Sequence, residues 1–413
     1  MLFYLHTRVF SAINIVSLYV RDGKTASMKK YILLFCTCFI LSFGAKTFYD
    51  MQTYKNDLYV YADVEAGPGL LEMTAFIKAP AKVRKLIAWA PWRGLKHRVN
   101  LDDFNAREID FNTQPNEKYY YHIMNKLAEE LSAEVKKNPD IQITLYTNLD
   151  YISDMLSNIR RVISDRNIKQ IHLYENGFGQ TVGKSKDILL KHVFLKGPPK
   201  KPQHPAAPFY THEMFKTTYH VGYLNIIRKS PEFKGFLSLM DDTEIKNVDY
   251  KKIAKSFSRS DKKKLAQLLG INIGEYKKAY KEATKKTAFL IGPKPLNKKE
   301  TEAQIFVLGE LIEANDYQWF FKPHPHPSSN VITKRLKKQF SNLAIIPAQI
   351  PIEAFLFLDI LPDYVGGYSS SAFFTLDKNL FLFYIKRPQD MYLPFLLEQG
   401  ILKRSQTLKL PSP

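Results

Sequence analysis

The feature that most constrains the fold is a repeated alternation of short apolar segments with segments of helical spacing. The predicted strands are residues 58–63, 85–90, 141–146, 168–174 and 288–293, and the predicted helices between them include 70–76, 120–136 and 152–163. Alternation of this kind builds parallel sheets that are covered by helices. In such sheets, ligands bind beyond the carboxyl ends of the strands. The sequence therefore predicts an α/β protein with its functional groups at strand ends.

The stretch from residue 318 to residue 374 places polar groups at such strand ends. An aromatic strand at 318–322 is stopped by alternating prolines and histidines, which leaves His324 at its carboxyl end. A proline-started apolar segment then predicts a helix that has Glu353 near its N-terminus. Polar groups in these positions suit the recognition of a nucleotide.

A glycine-containing strand at 364–368 leads into three serines at 369–371. Glycine lets a backbone bend and approach a neighbour closely. Serines that open a helix directly after a strand form an anion site, because free N–H groups and the positive end of the helix dipole face the anion. This part of the sequence predicts a phosphate site.

Charge and cysteine content limit the classes of partner and chemistry. The chain has 60 basic and 40 acidic residues, a net charge of +20, which favours nucleotide phosphates, acidic glycolipids, a membrane surface or nucleic acid. The lysine-rich segment 250–286 predicts a solvated helix face, and no aromatic platform or module for nucleic acid accompanies it. Both cysteines, Cys36 and Cys38, lie near the N-terminus, so the body has no thiol for a disulfide, zinc site or nucleophile.

The N-terminal region has the pattern of a targeting segment. Lys29 and Lys30 precede an apolar run at 31–45, an arrangement typical of a signal peptide. The run is short for a membrane span, which needs about 20 apolar residues. We interpret residues 1–56 as a signal or anchor segment and leave open whether it is cleaved.

The order and spacing of the motifs resemble those of the bacterial sialyltransferases of glycosyltransferase family 80. That family carries a Lys-x-His-Pro motif, here at 322–325, and a proline-containing segment that ends in a glutamate, here at 346–353. It also carries a Val-Gly-Gly-x-x-Ser-Ser motif, here at 365–371. Weaker similarity reaches back to about residue 57, so the resemblance covers nearly the whole body of the chain.

The resemblance implies a GT-B architecture, in which two Rossmann-like domains face each other across a cleft. On this basis residues 57–225 form the acceptor-side domain and residues 226–395 form the domain that binds the CMP donor. Residues 396–413 form a C-terminal tail that we expect to pack back on the N-terminal domain.

The implied reaction is transfer of sialic acid from CMP-sialic acid to a galactose-type hydroxyl of a glycan such as lipooligosaccharide, with inversion. The family needs no metal and no cofactor besides this donor substrate. The implied partners are CMP-sialic acid and a glycan or glycolipid acceptor. The donor is made in the bacterial cytoplasm, whereas lysines ahead of an apolar run favour export. Association with the inner membrane reconciles the two expectations, with the sidedness left open.

Carried over residue by residue, the resemblance implies a donor-binding group of Lys322, Pro325, Glu353, Ser370 and Ser371. His324 would face the donor phosphate and assist its departure, while the two serines would hold the same phosphate and the glutamate would bind the ribose hydroxyls. A departing phosphate gains negative charge that hydrogen-bond donors must meet. A histidine with hydroxyl and N–H groups at a helix start supplies such donors without a cation.

On the acceptor side, the resemblance points to Asp63 and Asn148 as sugar contacts. The family's base is the second carboxylate of a Tyr-Asp-Asp-Gly motif, and here Asn176 stands at that position, directly after Glu175. An amide takes no proton. Three explanations stay open: Glu175 acts as the base from the neighbouring position, the acceptor differs, or the enzyme is slow or inactive.

Two alternatives to a sialyltransferase follow from this departure. One is a catalytically impaired relative that binds a nucleotide or glycan, which Asn176 favours. The other is a transferase for a different CMP-activated acid sugar, because the motifs support the cytidine-phosphate site better than the sugar pocket.

Overall fold

The computed structural model describes residues 54–63, 69–89, 100–109, 119–148, 152–174, 216–221, 245–295, 297–387, 390 and 392–409. Contacts divide the chain into two compact units, Met1–Lys55 and Asn56–Pro413, and the elements below belong to the second unit. Residues 1–53 of the predicted signal or anchor segment lie outside the described residues. Within the described ranges, no helix has the length and hydrophobicity that crossing a membrane requires.

Two parallel sheets form the body of this unit. In the part that the structure describes, the first sheet consists of β1 (Asp57–Asp63), β2 (Arg84–Trp89), β3 (Ala106–Glu108), β4 (Gln142–Asn148), β5 (Ile168–Tyr174), β6 (Thr217–Val221) and β7 (Ile245–Asn247). The second consists of β8 (Thr287–Ile291), β9 (Gln318–Lys322), β10 (Ala344–Ile345), β11 (Tyr364–Tyr368), β12 (Phe381–Lys386) and β13 (Thr407–Lys409). The central strands β1 and β8 are buried almost throughout, as parallel strands covered on both faces should be.

The strand order identifies both sheets as Rossmann-like. It is β3-β2-β1-β4-β5-β6-β7 in the first sheet and β10-β9-β8-β11-β12-β13 in the second. Counted from its own first strand, each follows the order 3-2-1-4-5-6, and β7 extends the first sheet by a seventh strand. Ligands bind beyond the strand ends where that order reverses. The reversal lies beside Asp63 and Asn148 in the first sheet and beside Gly292 and Ser369 in the second. The predicted α/β class is confirmed.

Helices cover the sheets. Within the described ranges and in chain order they are α1 (Leu70–Lys78), α2 (Tyr119–Lys137), α3 (Ile152–Arg160), α4 (Tyr250–Ser256), α5 (Arg259–Leu269), α6 (Ile273–Glu282), α7 (Lys298–Ala314), α8 (Asn330–Gln339), α9 (Glu353–Phe357), α10 (Ala372–Thr375) and α11 (Leu393–Glu398). Local sequence sets their ends. In α5, for example, Ser258 and Asp261 form a capping box, and Gly270 ends the helix at φ +64°.

One apolar cluster is shared by elements of both sheets. It contains Phe76 of α1, Leu265 of α5 and Phe289 of β8, all of them buried. At its rim, Lys78 Nζ lies 2.7 Å from Asp261 Oδ2 and joins α1 to α5. The lysine-rich segment before the second sheet is therefore helical, as predicted, and it packs directly on the first helix of the first sheet.

The sheet topology differs from the predicted domain limits in two places. β7 pairs with β6, with Tyr219 opposite Ile245, so the first sheet continues beyond the predicted boundary at residue 225. In the tail, β13 adds to the edge of β12, so the second sheet continues beyond the predicted boundary at residue 395. Phe395, directly before the predicted tail, belongs to the apolar cluster of the first sheet, and packing of the tail on the N-terminal domain stays a prediction.

Candidate active site

The carboxyl end of the first sheet carries a row of side chains from four strands. Asp63 stands beside Trp89 in the register of β1 and β2, and Asn148 stands beside Tyr174 in the register of β4 and β5. Asp63 and Asn148 end the two strands that meet at the reversal point, and they are 1% and 3% exposed. The structure thus brings the predicted acceptor residues together, but it buries them beneath the surface. The predicted base position follows Tyr174 and lies outside the described residues.

A layer of stacked rings supports this row. Tyr61 stacks on Tyr146 with 4.5 Å between ring centroids, and Tyr146 stacks on His172 with 4.7 Å. His172 Nδ1 lies 3.0 Å from His220 Nε2. Burial lowers the pKa of His172 to about 4 and the pKa of His220 to about 3. At neutral pH both histidine rings are therefore uncharged, and one of the two nitrogens donates a hydrogen bond to the other. The aromatic layer beneath the row thus carries no charge from these histidines.

Glu72, in the first turn of α1, is a buried acid that no sequence motif indicates. Its Oε1 accepts a hydrogen bond of 2.7 Å from Trp89 Nε1. Among the described residues, its Oε2 has no hydrogen-bond partner. Burial, together with repulsion by Asp63, raises the pKa of Glu72 well above its ordinary value. An acidic residue in the first turn is common in exposed helices, so the sequence gives no sign of this burial.

In the second sheet, Lys322 ends β9 and is almost fully buried. Its Nζ donates to the carbonyl oxygens of Pro323 and Ala348, at 2.8 and 2.7 Å. Burial lowers the pKa of Lys322 to about 7, against the attraction of nearby Glu353. The ammonium joins two loops through their carbonyl oxygens, and its contact with the donor stays a prediction.

His324 and His326 follow β9 and have different hydrogen bonds. The backbone N–H of His326 donates to His324 Nδ1 at 3.0 Å, which places the proton of a neutral His324 ring on Nε2. The side chain of His326 starts a turn, because its Nδ1 accepts from the backbone N–H of Ser328. His324 therefore has a defined donor nitrogen, whereas His326 is structural, and the half-buried Pro325 between them restricts the backbone.

The glutamate and the serines of the predicted donor group lie together. Ser371 Oγ donates to Glu353 Oε1 at 2.8 Å, so this hydroxyl orients the carboxylate. Ser370 Oγ accepts from the backbone N–H of Ala372 at 3.3 Å, which leaves its own proton for a ligand. The helix that follows has only the four residues of α10, so its dipole is small. Of the two serines, Ser370 is the one placed to donate to an anion.

Gly367 is required by packing within the sheet. Its φ is +132°, and a Cβ there would stand 2.6 Å from the backbone nitrogen of Ile291 in β8. The glycine thus lets β11 press against β8 just before the serines. The glycine fixes the position of the strand end. The backbone approaches a neighbour closely there, as predicted, and that neighbour is the adjacent strand β8.

Two charged residues near the same strand ends were not indicated by any motif. Arg387 Nη2 donates to the carbonyl of Lys294 and, at 3.0 Å, to Glu300 Oε1, which connects the loop after β12 to the loop after β8 and to α7. Asp390 accepts from Tyr384 Oη at 2.9 Å. The bonds of Arg387 join residues that are far apart in sequence, so only the fold brings them together. In the part of the chain that the structure describes, no three His, Cys, Asp or Glu side chains are grouped as metal ligands, and metal independence stays a prediction.

Comparison with known proteins identifies the family. Residues 58–391 match the family described as Sialyltransferase PMO188, and no curated protein matches the chain. Similar solved structures include an α/β-galactoside α-2,3-sialyltransferase from Photobacterium phosphoreum, at 19% identity and a TM-score of 0.61, covering 86% of this chain and 98% of that one. The GT-B domain of a Photobacterium damselae sialyltransferase matches at 18% identity and a TM-score of 0.63, over 86% and 99%.

A third solved structure was determined with ligands. It is a 2,6-sialyltransferase from Photobacterium sp. JT-ISH-224 in a ternary complex with CMP and lactose, and it matches at 17% identity and a TM-score of 0.62, covering 86% of this chain and 78% of that one. These likenesses confirm the predicted GT-B fold. Since the family match covers most of the sequence, the chain belongs to this sialyltransferase family and is a glycosyltransferase.

Proposed function

We propose that the protein transfers sialic acid from CMP-sialic acid to a galactose-type hydroxyl of a glycan such as lipooligosaccharide, with inversion and without a metal ion. The observation that carries this proposal is that Glu353 and the serines lie together, while His324 follows β9 at the carboxyl end of the same sheet. A similar enzyme was solved with CMP and lactose, which supports this class of donor and acceptor.

The donor site suits the departure of a nucleotide phosphate. As the bond from the anomeric carbon of sialic acid to the phosphate oxygen breaks, negative charge grows on CMP. His324 Nε2–H and the Ser370 hydroxyl are donors that meet this charge, and such preorganised donors are a major source of catalysis. Glu353, oriented by Ser371, accepts hydrogen bonds from the ribose hydroxyls.

The acceptor end needs a base. The acceptor hydroxyl attacks the anomeric carbon on the face opposite the phosphate, which inverts the configuration, and its proton passes to a carboxylate. We assign this role to Glu175, because the neighbouring Asn176 takes no proton. Asp63 and Asn148, at the ends of β1 and β4, are the predicted contacts of the acceptor sugar.

The test is an assay of the full chain with CMP-sialic acid and lactose that measures both transfer and donor hydrolysis. We expect CMP and sialyl-lactose to form in equal amounts, and Glu175→Gln to lower the rate of transfer without preventing CMP binding. Calorimetry that shows no CMP binding at millimolar concentration would overturn the donor site.

A second candidate is a relative that binds CMP or a glycan without catalysing transfer, which Asn176 favours. It predicts that calorimetry detects CMP while no product forms from CMP-sialic acid. A transferase for another CMP-activated acid sugar would instead release CMP only from that other donor. Offering several CMP-activated acid sugars in the same assay separates these cases.

We also propose that the enzyme works at the bacterial inner membrane. The apolar run at 31–45 and the net charge of +20 support this location, since basic proteins are attracted to anionic lipid. Such a location brings a glycolipid acceptor close to the enzyme.

A further inference from the structure

Glu72 is the most unusual ionisable group at the acceptor end of the first sheet. Its side chain is 1% exposed, and among the described residues the charged neighbour that acts on it is Asp63, which is equally buried and repels it. Burying one carboxylate beside another is strongly unfavourable when both are ionised. The presence of Glu72 beside the acceptor row therefore requires an explanation.

The hydrogen bond to Trp89 ties this acid to the strand ends. Glu72 Oε1 accepts from the indole N–H, and Trp89 stands beside Asp63 in register. The indole also packs against Phe76 of α1, with 5.3 Å between ring centroids. The first turn of α1 is thereby fixed to the carboxyl ends of β1 and β2.

The surroundings of Glu72 favour its neutral form. Among the described residues, the titratable groups that face it are Asp63 and Tyr61 of β1 and Tyr174 of β5. Burial raises the pKa of both tyrosines, so neither loses its proton near neutral pH. A neutral carboxyl accepts from Trp89 with one oxygen and keeps a proton on the other, which avoids a second charge beside Asp63.

We propose that Glu72 is a positioning residue of the acceptor site, which stays protonated, holds Trp89 and leaves Asp63 as the single negative charge of the row formed with Asn148 and Tyr174. This assignment rests on the proposed function. Once Glu72 ionises, two like charges repel within the row, and the strand ends that support the acceptor lose their fixed geometry.

The first experiment follows the melting temperature of the full chain against pH for the wild type and Glu72→Gln, which retains the acceptor oxygen for Trp89 but does not titrate. The stability that protonated Glu72 contributes is fully present below 4.5, the ordinary pKa of the group in the unfolded chain. It is lost as the pH rises through the raised pKa of Glu72 in the folded protein. We therefore expect the melting temperature of the wild type to fall, relative to that of Glu72→Gln, by several degrees over this range. Parallel curves would overturn the proposal.

The second experiment measures KM for lactose and binding of CMP. Glu72→Leu removes the bond to Trp89, so we expect KM for lactose to rise at least fivefold while the affinity for CMP stays within twofold. Glu72→Gln should keep a low KM for lactose. As the pH is raised, its KM should stay low up to a higher pH than the KM of the wild type does. An unchanged KM in Glu72→Leu, or an equal loss of CMP affinity, would contradict a positioning role at the acceptor end.

A matched control is Glu134→Gln. Glu134 is also buried, but it lies outside this row and its Oε2 pairs with Arg84 Nη1 at a distance of 2.8 Å. This substitution should lower the melting temperature and leave the pH dependence of the lactose KM unchanged. If Glu72→Leu does not fold, the comparison of the wild type with Glu72→Gln over pH still decides whether Glu72 positions the acceptor site. If the wild type transfers no sialic acid, the proposed function fails, whereas the melting curves still decide whether Glu72 holds its proton.

Discussion

At the scale of single residues, hydrogen bonds separate two histidines that stand two positions apart. His324 has its Nδ1 occupied by a backbone N–H and therefore presents Nε2–H, while His326 uses its ring to begin a turn. The sequence indicated this division, since His324 ends a strand within a motif. It did not indicate the tautomer of His324, which depends on how the chain turns after Pro325.

Replacing His324 with alanine should lower kcat by about 10²-fold or more, because a preorganised donor to the leaving phosphate is lost. KM for CMP-sialic acid should change little, since the interaction strengthens as charge develops. Initial rates over a range of donor concentrations check this. His326→Ala is the control, and a loss of kcat in that variant as large as in His324→Ala would contradict the assignment.

At the scale of elements, Gly367 offers a direct test of how β11 meets β8. Gly367→Ala should destabilise the fold by at least about 2 kcal/mol, because φ is +132° and the new Cβ would clash with the backbone of Ile291. Gly270→Ala, at φ +64° with no atom within 4 Å of the new Cβ, should lose only about 1 kcal/mol. Urea unfolding measures both, and equal losses would show that the close strand contact is absent.

Lys322 connects β9 to the loop after β10, and its titration gives a pH test. Lys322→Met leaves the carbonyls of Pro323 and Ala348 without this donor, which should lower stability by about 1–3 kcal/mol at pH 7. Because the fold lowers the pKa of Lys322 from 10.5 to about 7, the unfolded chain binds more protons between these values. Stability of the wild type should therefore rise over this range relative to Lys322→Met. Unfolding measurements at pH 7 and at about pH 9 check this. A difference in stability between the wild type and Lys322→Met that becomes smaller at the higher pH would contradict the assigned contacts.

The elements that the sequence indicated are the apolar ones. The strands at 58–63, 168–174 and 318–322 agree with β1, β5 and β9 to within one residue at each end. β6 and β7 were not predicted, because strands containing His220 and Lys246 lack the apolar run of a buried strand. The carbonyl contacts of Lys322 and the burial of Glu72 were also beyond the sequence, since both depend on partners brought together by the fold.

At the scale of the whole molecule, two Rossmann-like sheets share an apolar cluster through α1 and α5. The predicted donor group lies at the carboxyl end of one sheet, and the predicted acceptor row lies at the carboxyl end of the other. Two separate binding sites agree with the strand order, because each sheet has its own reversal point. The alternation of strands and helices predicted parallel sheets covered by helices, and the resemblance to the sialyltransferase family implied their arrangement in two Rossmann-like domains.

The N-terminal segment gives a prediction at this scale. The full chain should be recovered with bacterial membranes, and a version that starts after Ala45 should be recovered in the soluble fraction, because the apolar run at 31–45 is removed. Fractionation followed by immunoblotting checks this. Equal recovery of both in the soluble fraction would contradict an anchor, and a shortened mature chain in the periplasm would contradict a cytoplasmic placement.

The most direct test of the central claim is an NMR time course of the full chain with CMP-sialic acid, lactose and EDTA. The proposed mechanism predicts that CMP and sialyl-lactose appear in a ratio of one to one, that the new linkage has the inverted anomeric configuration, and that EDTA leaves the rate unchanged. A product of retained configuration, activity restored only by added Mg²⁺ or Mn²⁺, or an intact donor after prolonged incubation would contradict it.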